Sequence, residues 1–385
     1  MLKIAIVGCG KVADSHASQI RRIHGCEIVG ACDREELMAQ QFAERFGVRR
    51  CFGDVSAMII AVRPEVVHIT TPPQSHFEIA RLCVEHGCHV YVEKPFTLNT
   101  TEAEELLGLA EFRDLKVTAG HDQQFSHPAR RMRDLIRRGY LGGKPVHMES
   151  TWCYDLGEQM YARAVLGDKE HWVRKLPGRL LHNLISHGVA KIAEFLTTNT
   201  VDVMAVGRTS AFLRDLGEPD IIDELRVVIT EEVGPTAYFT FSSQMRPALH
   251  QFCIYGPRNA LVIDEDHQTL IRVQGKRFKS YVEKFVPPMI SAKECVGNLL
   301  HNTRLFLECD FHMDSGKKYL MEAFYGSIVK QIPVPIPYRQ LLLTSRIMDS
   351  IFEQVAFDKS VRPRQLSVEK KGTDVQARAV LQTRL

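Results

Sequence analysis

Hydrophobic and polar positions are arranged in two different ways along the chain, and the change falls near residue 143. Before it, short continuous apolar runs such as KIAIVG at 3–8 and EIVGACD at 27–33 are each followed by apolar residues spaced three or four apart. Continuous runs are typical of strands buried on both faces, and the wider spacing is typical of amphipathic helices. The pattern predicts a doubly wound α/β domain with a parallel sheet.

After residue 143 the pattern becomes partial alternation, as in PVHMESTW at 145–152 and TAYFTFSS at 236–243. Alternation with short turns predicts an antiparallel sheet with one covered face and one available face. A last helix is predicted over 341–357. We therefore expect a first domain over 1–122, a second α+β domain with a large, mainly antiparallel open sheet over 123–358, and a polar tail over 359–385. The final helix is expected to pack back on the first domain.

Composition narrows the class of protein. Lys and Arg total 49 against 46 Asp and Glu, a net charge of +3, which gives no electrostatic footprint for nucleic acid. No apolar stretch approaches the roughly 20 residues that span a bilayer, and the first turn glycine comes too early for a signal peptide. The ten cysteines are scattered without a CxxC pair, so no metal site is predicted. We expect a cytoplasmic protein that binds neither nucleic acid nor membrane.

A glycine-rich sequence, GCGKVA at 8–13, joins the first predicted strand to the first predicted helix and fits the dinucleotide fingerprint G-x-G-x-x-G/A. Asp33 ends the second predicted strand, where a carboxylate accepts hydrogen bonds from ribose hydroxyls and repels a 2′-phosphate. The first domain is thus predicted to be a Rossmann domain that binds NAD, with NADP as the alternative because Arg34 could neutralise a phosphate. The residues predicted to bind the cofactor are Gly8, Cys9, Gly10, Lys11, Val12, Asp33 and Arg34.

Two more motifs close predicted strands of the first domain: TPPQSH at 71–76 and EKP at 93–95. With GCGKVADSH at 8–16, they make the chain resemble the Gfo/Idh/MocA family from residue 2 to about residue 357. The resemblance implies a Rossmann domain, a second domain whose open sheet supports homodimers or homotetramers, and a substrate held between the domains over the nicotinamide. It also adds five residues to the predicted cofactor site: Thr71, Pro72, His76, Glu93 and Lys94.

The resemblance further implies that Lys94 and His187 are catalytic. In the family the EKP lysine contacts the substrate hydroxyl, where a cation stabilises the developing alkoxide. The family's Asp-x-x-x-His signature matches NLISH at 183–187, with Asn183 in place of the aspartate. The i,i+4 spacing places Asn183 and His187 on one helical face, and His187 can serve as general base. Because asparagine carries no negative charge, we expect a less basic His187, or a proton route through Lys94 or His182.

Four residues are predicted to bind the substrate. Asn183 and Gln124 follow from the family pattern. Trp172 and Arg174, just before PGRLLHN at 177–183, are interpreted as a stacking wall for a sugar and a contact for an anion. A buried tryptophan next to a surface arginine explains this last pair equally well.

The predicted function is an NAD(P)-dependent oxidoreductase that moves hydride between nicotinamide and a hydroxyl-bearing carbon of a sugar, cyclitol or sugar derivative. Two alternatives stay open. One is a redox-neutral epimerase or glycoside-cleaving enzyme with retained NAD, and the other is a non-catalytic nucleotide-binding regulator. Asn183 keeps the regulator open, whereas the presence of both Lys94 and His187 opposes it. A homodimer or homotetramer through the sheet of the second domain is expected.

Overall fold

The computed structural model describes residues 1–156, 167–275, 278–311 and 315–357. The predicted tail, 359–385, lies outside the described residues. Two sheets organise the rest, each with its own hydrophobic core. No helix in these ranges is both long enough and apolar enough to cross a bilayer.

The first sheet has six parallel strands in the order β3-β2-β1-β4-β5-β6. Its strands are β1 (Leu2–Val7), β2 (Cys26–Cys32), β3 (Cys51–Phe52), β4 (Val66–Ile69), β5 (His89–Val92) and β6 (Val117–Ala119). This order, with its reversal between β1 and β4, is that of doubly wound dinucleotide-binding folds, which bind ligands where the strand order reverses. The predicted parallel sheet is confirmed.

The second sheet has seven strands in the order β13-β12-β11-β7-β10-β9-β8. They are β7 (His147–Cys153), β8 (Asp202–Arg208), β9 (Glu224–Thr230), β10 (Thr236–Ser242), β11 (His250–Tyr255), β12 (Asn259–Asp264) and β13 (Thr269–Gln274). All neighbouring strands are antiparallel except β7 and β10, which are parallel. The prediction of a large, mainly antiparallel sheet is confirmed.

Helices surround the first sheet and cover one face of the second. They are α1 (Lys11–Ile20), α2 (Glu36–Phe46), α3 (Val55–Val62), α4 (His76–Glu85), α5 (Thr100–Phe112), α6 (His127–Arg137), α7 (Arg179–Leu184), α8 (Ser186–Phe195), α9 (Ala211–Asp215), α10 (Val282–Leu307), α11 (Ser315–Val329) and α12 (Tyr338–Phe357). The sequence analysis assigned no element to the 26 residues of α10, which contain Pro287 and Pro288. Prolines usually end a helix rather than lie within one.

The helices do not divide between the domains at residue 122 as predicted. Leu320 and Phe324 of α11 are buried in the core of the first sheet, although they come long after the second sheet has ended. Helix α12 contributes Leu341 to that same core and Ile347 to the core of the second sheet. The chain therefore returns to the first domain, and α12 packs against both domains, which fixes their relative position.

Candidate active site

A cleft of about 660 Å³ opens at the carboxyl edge of the first sheet, where the strand order reverses. Gly8 turns the chain after β1 with φ +90°, and a Cβ there would lie 2.7 Å from the backbone nitrogen of Thr71. Gly10 precedes α1, and a Cβ on it would meet nothing within 4 Å. Glycine is thus required for the turn at Gly8, and at Gly10 it leaves the start of α1 open to a phosphate group.

Asp33 holds the glycine turn against the end of β2. Its Oδ2 accepts a hydrogen bond from the backbone nitrogen of Cys9 at 2.8 Å, and its Oδ1 accepts one from Glu35 at 3.0 Å. Asp33 and Arg34 both line the cleft, together with Thr71 and Pro72 from the loop after β4. These residues lie where the fingerprint predicts the adenosine ribose and the diphosphate.

Several predicted cofactor residues do not turn their side chains into this cleft, which corrects part of the sequence analysis. The Cys9 side chain is fully buried, and burial raises the pKa of its thiol to about 12. Lys11 and Val12 are exposed on α1 outside the cleft lining. His76 is buried and its ring nitrogens bond the carbonyls of Thr71 and Pro95, each at 2.9 Å. The imidazole therefore joins the loop after β4 to the loop after β5.

Glu93 is also buried rather than facing the cleft. His16 Nε2 lies 2.7 Å from its Oε1, and Lys317 Nζ of α11 lies 3.7 Å from the same atom. Burial acts to raise the pKa of Glu93, but Lys317 and His16 outweigh it and hold this pKa well below its usual range. A fixed anion therefore lies beneath the loop that carries Lys94.

A chain of buried hydrogen bonds continues from Glu93 into the core. His16 Nδ1 is 2.8 Å from His68 Nδ1, and Tyr325 Oη is 2.8 Å from His68 Nε2. With Glu93 ionised, His16 donates to it from Nε2, and the chain continues through His68 to the Tyr325 hydroxyl. Burial and neighbouring His16 lower the pKa of His68, which keeps the imidazole neutral. Every polar atom in this chain has a partner.

Lys94 joins the two domains through a contact with Asn183. Its backbone nitrogen donates to Glu93 Oε2 at 3.0 Å, and its Nζ donates to the Asn183 carbonyl oxygen at 3.0 Å and to Asn183 Oδ1 at 3.4 Å. Burial lowers the pKa of Lys94, while the carboxylates of Glu93 and Asp122 act against that lowering. The ammonium group is thus held between the two sheets by a residue of α7.

His187 is 9% exposed and lies within range of the Lys94 charge. Its Nδ1 is 3.8 Å from Asp122 Oδ1, which is too long for a hydrogen bond, and no described residue hydrogen-bonds to that nitrogen. Burial, then the charge of Lys94, then His121, hold the pKa of His187 well below its usual range. The imidazole is therefore neutral near pH 7 and able to accept a proton.

The predicted single helix through Asn183 and His187 is interrupted. Helix α7 ends at Leu184 and α8 begins at Ser186, with Ile185 between them. Asn183 uses its carbonyl and amide oxygens to hold Lys94. The carboxylate nearest to His187 is Asp122, which comes from the other domain. The expected pairing of Asn183 with His187 is therefore replaced by an Asn183–Lys94 contact and a His187–Asp122 approach.

Asp122 and His121 are not among the catalytic, substrate-binding or cofactor-binding residues that the sequence analysis selected. They follow β6 at the start of a short 3₁₀ turn, Asp122–Phe125. The ring of His121 lies 6.1 Å from that of His187, and burial lowers its pKa to about 4. Because the carboxyl ends of parallel strands meet at one edge of a sheet, their position after a predicted strand was the signal that could have found them.

Three of the predicted substrate residues have other partners. Gln124 Nε2 donates to the Ala190 carbonyl at 3.0 Å and so holds α8 to the 3₁₀ turn. Trp172 lines the cofactor cleft instead of the region around His187. Arg174 forms a two-pronged ion pair with Glu218 at 2.9 and 2.8 Å. The interpretation of Trp172 and Arg174 as a sugar-stacking wall and an anion contact is corrected accordingly.

A second cavity of about 340 Å³ lies behind Trp152, on the side of the second sheet. The Trp152 ring packs 5.8 Å from the His187 ring and 4.5 Å from the His250 ring. Trp152 Nε1, His250 Nε2 and Gln268 Oε1 are buried without a partner among the described residues, and all three side chains line the cavity. An aromatic face with separate donor and acceptor atoms suits a polyhydroxylated molecule.

Residues 2–121 match the model of an oxidoreductase family with an NAD-binding Rossmann fold, Gfo/Idh/MocA. This domain belongs to the Gfo/Idh/MocA family. The chain is 33% identical over 142 residues to D-glucoside 3-dehydrogenase of Escherichia coli strain K12, which covers 37% of this chain and 40% of that protein. It is 29% identical over 243 residues to 1-carboxy-3-chloro-3,4-dihydroxycyclo hexa-1,5-diene dehydrogenase of Comamonas testosteroni. This match covers 63% of this chain and 59% of that protein. These matches span about two fifths to three fifths of the curated relatives.

Solved structures share the fold over both domains. An NAD-binding oxidoreductase from Klebsiella pneumoniae superposes with a TM-score of 0.74 at 18% identity, covering 92% of this chain and 97% of that one. The WlbA dehydrogenase from Bordetella pertussis, solved with NADH and UDP-GlcNAcA, gives a TM-score of 0.72 at 14% identity, covering 92% and 95%. Both domains of this chain thus share their fold with these two solved structures.

The residues of this Gfo/Idh/MocA domain fit the NAD that the family binds. Gly8 and Gly10 give the diphosphate access to the start of α1, and Asp33 stands at the end of β2 for the ribose. Lys94 follows β5 at the same sheet edge and donates to Asn183 of the second domain, and Asp122, which follows β6, lies 3.8 Å from His187 of that domain. Within the described ranges, no group of three or more His, Cys, Asp or Glu side chains could hold a metal ion.

Proposed function

We propose that this chain is an NAD-dependent oxidoreductase that transfers hydride between the nicotinamide and a hydroxyl-bearing carbon of a sugar, cyclitol or sugar derivative. The observation that carries the proposal is the meeting of Lys94 and neutral His187, one from each domain, at the carboxyl edge of the NAD-binding sheet. Relatives named as dehydrogenases of a glucoside, a UDP-sugar and myo-inositol support this class of substrate.

Bound NAD supplies the hydride acceptor at this edge of the sheet. The chain's own residues handle the hydroxyl group. The Lys94 ammonium, held by Asn183, stabilises negative charge on the oxygen as its carbon becomes a carbonyl. His187 accepts the hydroxyl proton, and the Asp122 carboxylate 3.8 Å from Nδ1 favours the imidazolium that results.

The substrate is placed against Trp152, with its other hydroxyls toward the cavity that contains His250 and Gln268. His250 Nδ1 lies 2.7 Å from Asp266 Oδ1. This contact orients the imidazole and leaves Nε2 without a partner among the described residues. A hydroxyl group both donates and accepts, so a polyol could pair with the Trp152 indole nitrogen and the Gln268 amide oxygen once these two shielded side chains shift to expose them. These contacts favour a polyhydroxylated ring over a simple alcohol.

We also propose that the open face of the second sheet supports the homodimer or homotetramer expected from the family resemblance. Met204 of β8 is 67% exposed and Tyr238 of β10 is 51% exposed. Exposed positions alternate with partly buried ones along β8, and with mostly buried ones along β10. Contiguous exposed apolar side chains on a sheet face commonly mark a protein interface.

The test is a panel of sugars, cyclitols and sugar nucleotides incubated with NAD or NADP, with NADH or NADPH formation followed by near-ultraviolet absorbance. We expect turnover with NAD that falls by about 10²–10³-fold in Lys94→Ala, since one electrostatic stabiliser of an oxyanion contributes that much. Lys144→Ala, which removes an exposed lysine of the second domain, is the control and should keep full turnover.

Turnover that survives in Lys94→Ala would remove Lys94 from the reaction and contradict the proposal. Binding of NAD, measured by titration, should be similar in the wild type and Lys94→Ala, which separates a lost chemical step from a lost cofactor site. Substrate conversion without net NADH formation would point instead to redox-neutral chemistry with retained NAD.

A further inference from the structure

Helix α10 rests on the second sheet through polar side chains. Glu294 accepts hydrogen bonds from the Arg272 guanidinium of β13 at distances between 2.6 and 3.1 Å. Asn298 bonds the backbone nitrogen and carbonyl of Leu270 at 3.1 and 2.9 Å, and Asn302 Nδ2 donates to the His267 carbonyl at 3.1 Å. The side of α10 that faces its own chain is therefore largely polar.

The opposite side of α10 is apolar and exposed. Its side chains recur at alternating spacings of three and four over the whole helix: Val282, Phe285, Met289, Val296, Leu299 and Phe306, which are between 49% and 71% exposed. Ala292 and Thr303, also exposed, complete the repeat. We call these eight positions the α10 seam. A surface helix normally turns its apolar side to its own core, so α10 has the reverse arrangement.

The period of the seam identifies the kind of partner. Apolar positions that repeat every 3.5 residues keep facing a second helix along a shared axis, which is the pattern of knobs-into-holes packing. Helix α10 also covers β13, an edge strand of the second sheet, so a partner here meets a helix and cannot extend the sheet. The surface therefore fits another amphipathic helix with the same repeat.

We propose that the α10 seam pairs antiparallel with the α10 seam of a second copy of this chain. In the register centred between Ala292 and Val296, Met289 faces Leu299 of the copy and Val282 faces Phe306. Phe285 then faces Thr303, so each phenylalanine of the seam meets a smaller side chain. The seam is thus complementary to itself, as a two-fold interface requires.

The area is sufficient for a stable dimer. With Leu300 and Leu307 on its flank, 65% and 75% exposed, the seam would bury roughly 900 Å² on each copy, against about 800 Å² per partner in a standard-size interface. This contact is separate from the open face of the second sheet. It is also independent of the proposed activity, because no seam residue lines the two cavities at the active site.

Sedimentation of the full-length chain tests the pairing. We expect Met289→Glu combined with Leu299→Glu to halve the solution mass of the wild-type dimer or tetramer, because four like charges then meet next to the centre of the interface. Ser291→Glu, which adds a charge to an exposed position of the same helix outside the seam, should keep the wild-type mass. A wild type that is monomeric, or a double variant with wild-type mass, would overturn the proposal.

A variant of the open face of the second sheet serves as the comparison for the seam double variant. Met204→Glu charges the open face of the second sheet, where the side chain is as exposed as the seam residues. If Met204→Glu reduces the mass while the seam double variant does not, the assembly uses the sheet alone and the α10 pairing is wrong. NAD binding retained in the seam double variant confirms that its loss of mass is not a loss of folding.

A cross-link gives a second measurement that leaves the seam unchanged. Cys295 is exposed and lies close to the centre of the proposed two-fold contact, so it approaches Cys295 of the copy. A short bismaleimide should therefore yield a covalent dimer that Cys295→Ser abolishes and Cys309→Ser retains, since exposed Cys309 lies at the end of the helix, away from that centre. A cross-linked dimer that persists in Cys295→Ser would contradict the antiparallel register.

Discussion

The two sides of the cleft are built in different ways. On the NAD side, both oxygens of Asp33 accept backbone N–H groups, and the Thr70 hydroxyl donates to the Gly8 carbonyl at 2.6 Å. On the substrate side, His121, His187 and Trp152 each bury at least one polar atom without a hydrogen-bond partner among the described residues. The proposed function therefore assigns recognition of NAD to a fixed backbone, and recognition of the substrate to side chains whose polar groups a ligand would satisfy.

The same contrast holds for charge. The substrate side collects Lys94, His121 and His187 within one buried cluster, where burial lowers the pKa of each group and the Lys94 charge lowers those of both histidines further. A cluster that keeps its imidazoles neutral beside a cation can accept one proton and stabilise one negative charge. The following variants separate these two sides.

His187→Gln should have the largest effect. Loss of a general base costs about 10²–10⁴-fold in turnover, so kcat should fall by that range while the dissociation constant of NAD stays the same. Steady-state kinetics and NAD titration measure the two quantities. His267→Gln, at a histidine whose side chain is 76% exposed, is the matched control. Full turnover in His187→Gln would show that the substrate side does not depend on this imidazole.

Glu93→Gln should affect stability rather than NAD affinity. It leaves Lys317 in a buried site without its anion, and breaking such a pair typically costs about 3–5 kcal/mol, measurable by urea unfolding at pH 7. Because the folded-state pKa of Glu93 is lowered, the pair stabilises the fold above the ordinary carboxyl pKa, and this contribution disappears as pH falls through the folded-state value. The gap between wild type and variant should therefore narrow in acid.

Glu93→Gln combined with Lys317→Met is the control for that interpretation. Removing both charges avoids an unpaired buried cation, so the double variant should recover most of the lost stability. A double variant as unstable as Glu93→Gln alone would show that the hydrogen bonds to His16 and Lys94, rather than the ion pair, account for the effect.

The sequence was informative wherever the function depends on local backbone. The strand–glycine–helix pattern at 2–20 and the acid ending β2 are contiguous or follow the order of the strands, so the NAD side could be predicted. The substrate side could be predicted only in part. Lys94 and His187 were selected through the family motifs, but Asp122 approaches His187 from the other domain, and no spacing along the chain encodes that approach.

The errors have the same origin. Trp172 and Arg174 are adjacent to a family motif in sequence, yet the pairing of Arg174 with Glu218 and the position of Trp172 on the NAD side depend on how distant segments pack. Helix α11 belongs to the first core although the chain reaches it last, because its apolar residues are buried against helix α1 and the first sheet. Composition and periodicity predict elements, and they do not state which core an element joins.

Asp33→Ser tests the role of the Asp33 carboxylate in the preference for NAD over NADP. Removing the carboxylate takes away charge-assisted hydrogen bonds to the ribose, so NAD should bind about tenfold more weakly, with a smaller loss for NADP. Titration with both dinucleotides measures the change in preference. Glu44→Ser, at an exposed acid on α2 outside the cleft, should alter neither affinity. Stronger binding of NADP than of NAD by the wild type would contradict the role given to Asp33.

Asn183→Asp makes the smallest and most discriminating change. In the wild type, His187 must be neutral and Lys94 charged for turnover. The acid limb of the kcat/KM profile should therefore have its midpoint below pH 6.5, and the alkaline limb should have its midpoint below pH 10.5. A carboxylate at position 183 would lie against the Lys94 ammonium, because Oδ1 of Asn183 is 3.4 Å from Nζ. It should raise the pKa of Lys94 and move the alkaline limb to higher pH by about one unit.

The direction of that shift decides between two accounts of Asn183. The family pattern pairs position 183 with the histidine, in which case the acid limb would move upward as His187 becomes more basic. The structure pairs it with Lys94, in which case the alkaline limb moves and the acid limb changes less. Asn183→Ser, which keeps the carbonyl contact at 3.0 Å and adds no charge, should leave the alkaline limb near its wild-type position. A shift confined to the acid limb in Asn183→Asp would mean that this residue acts on the base and not on the ammonium.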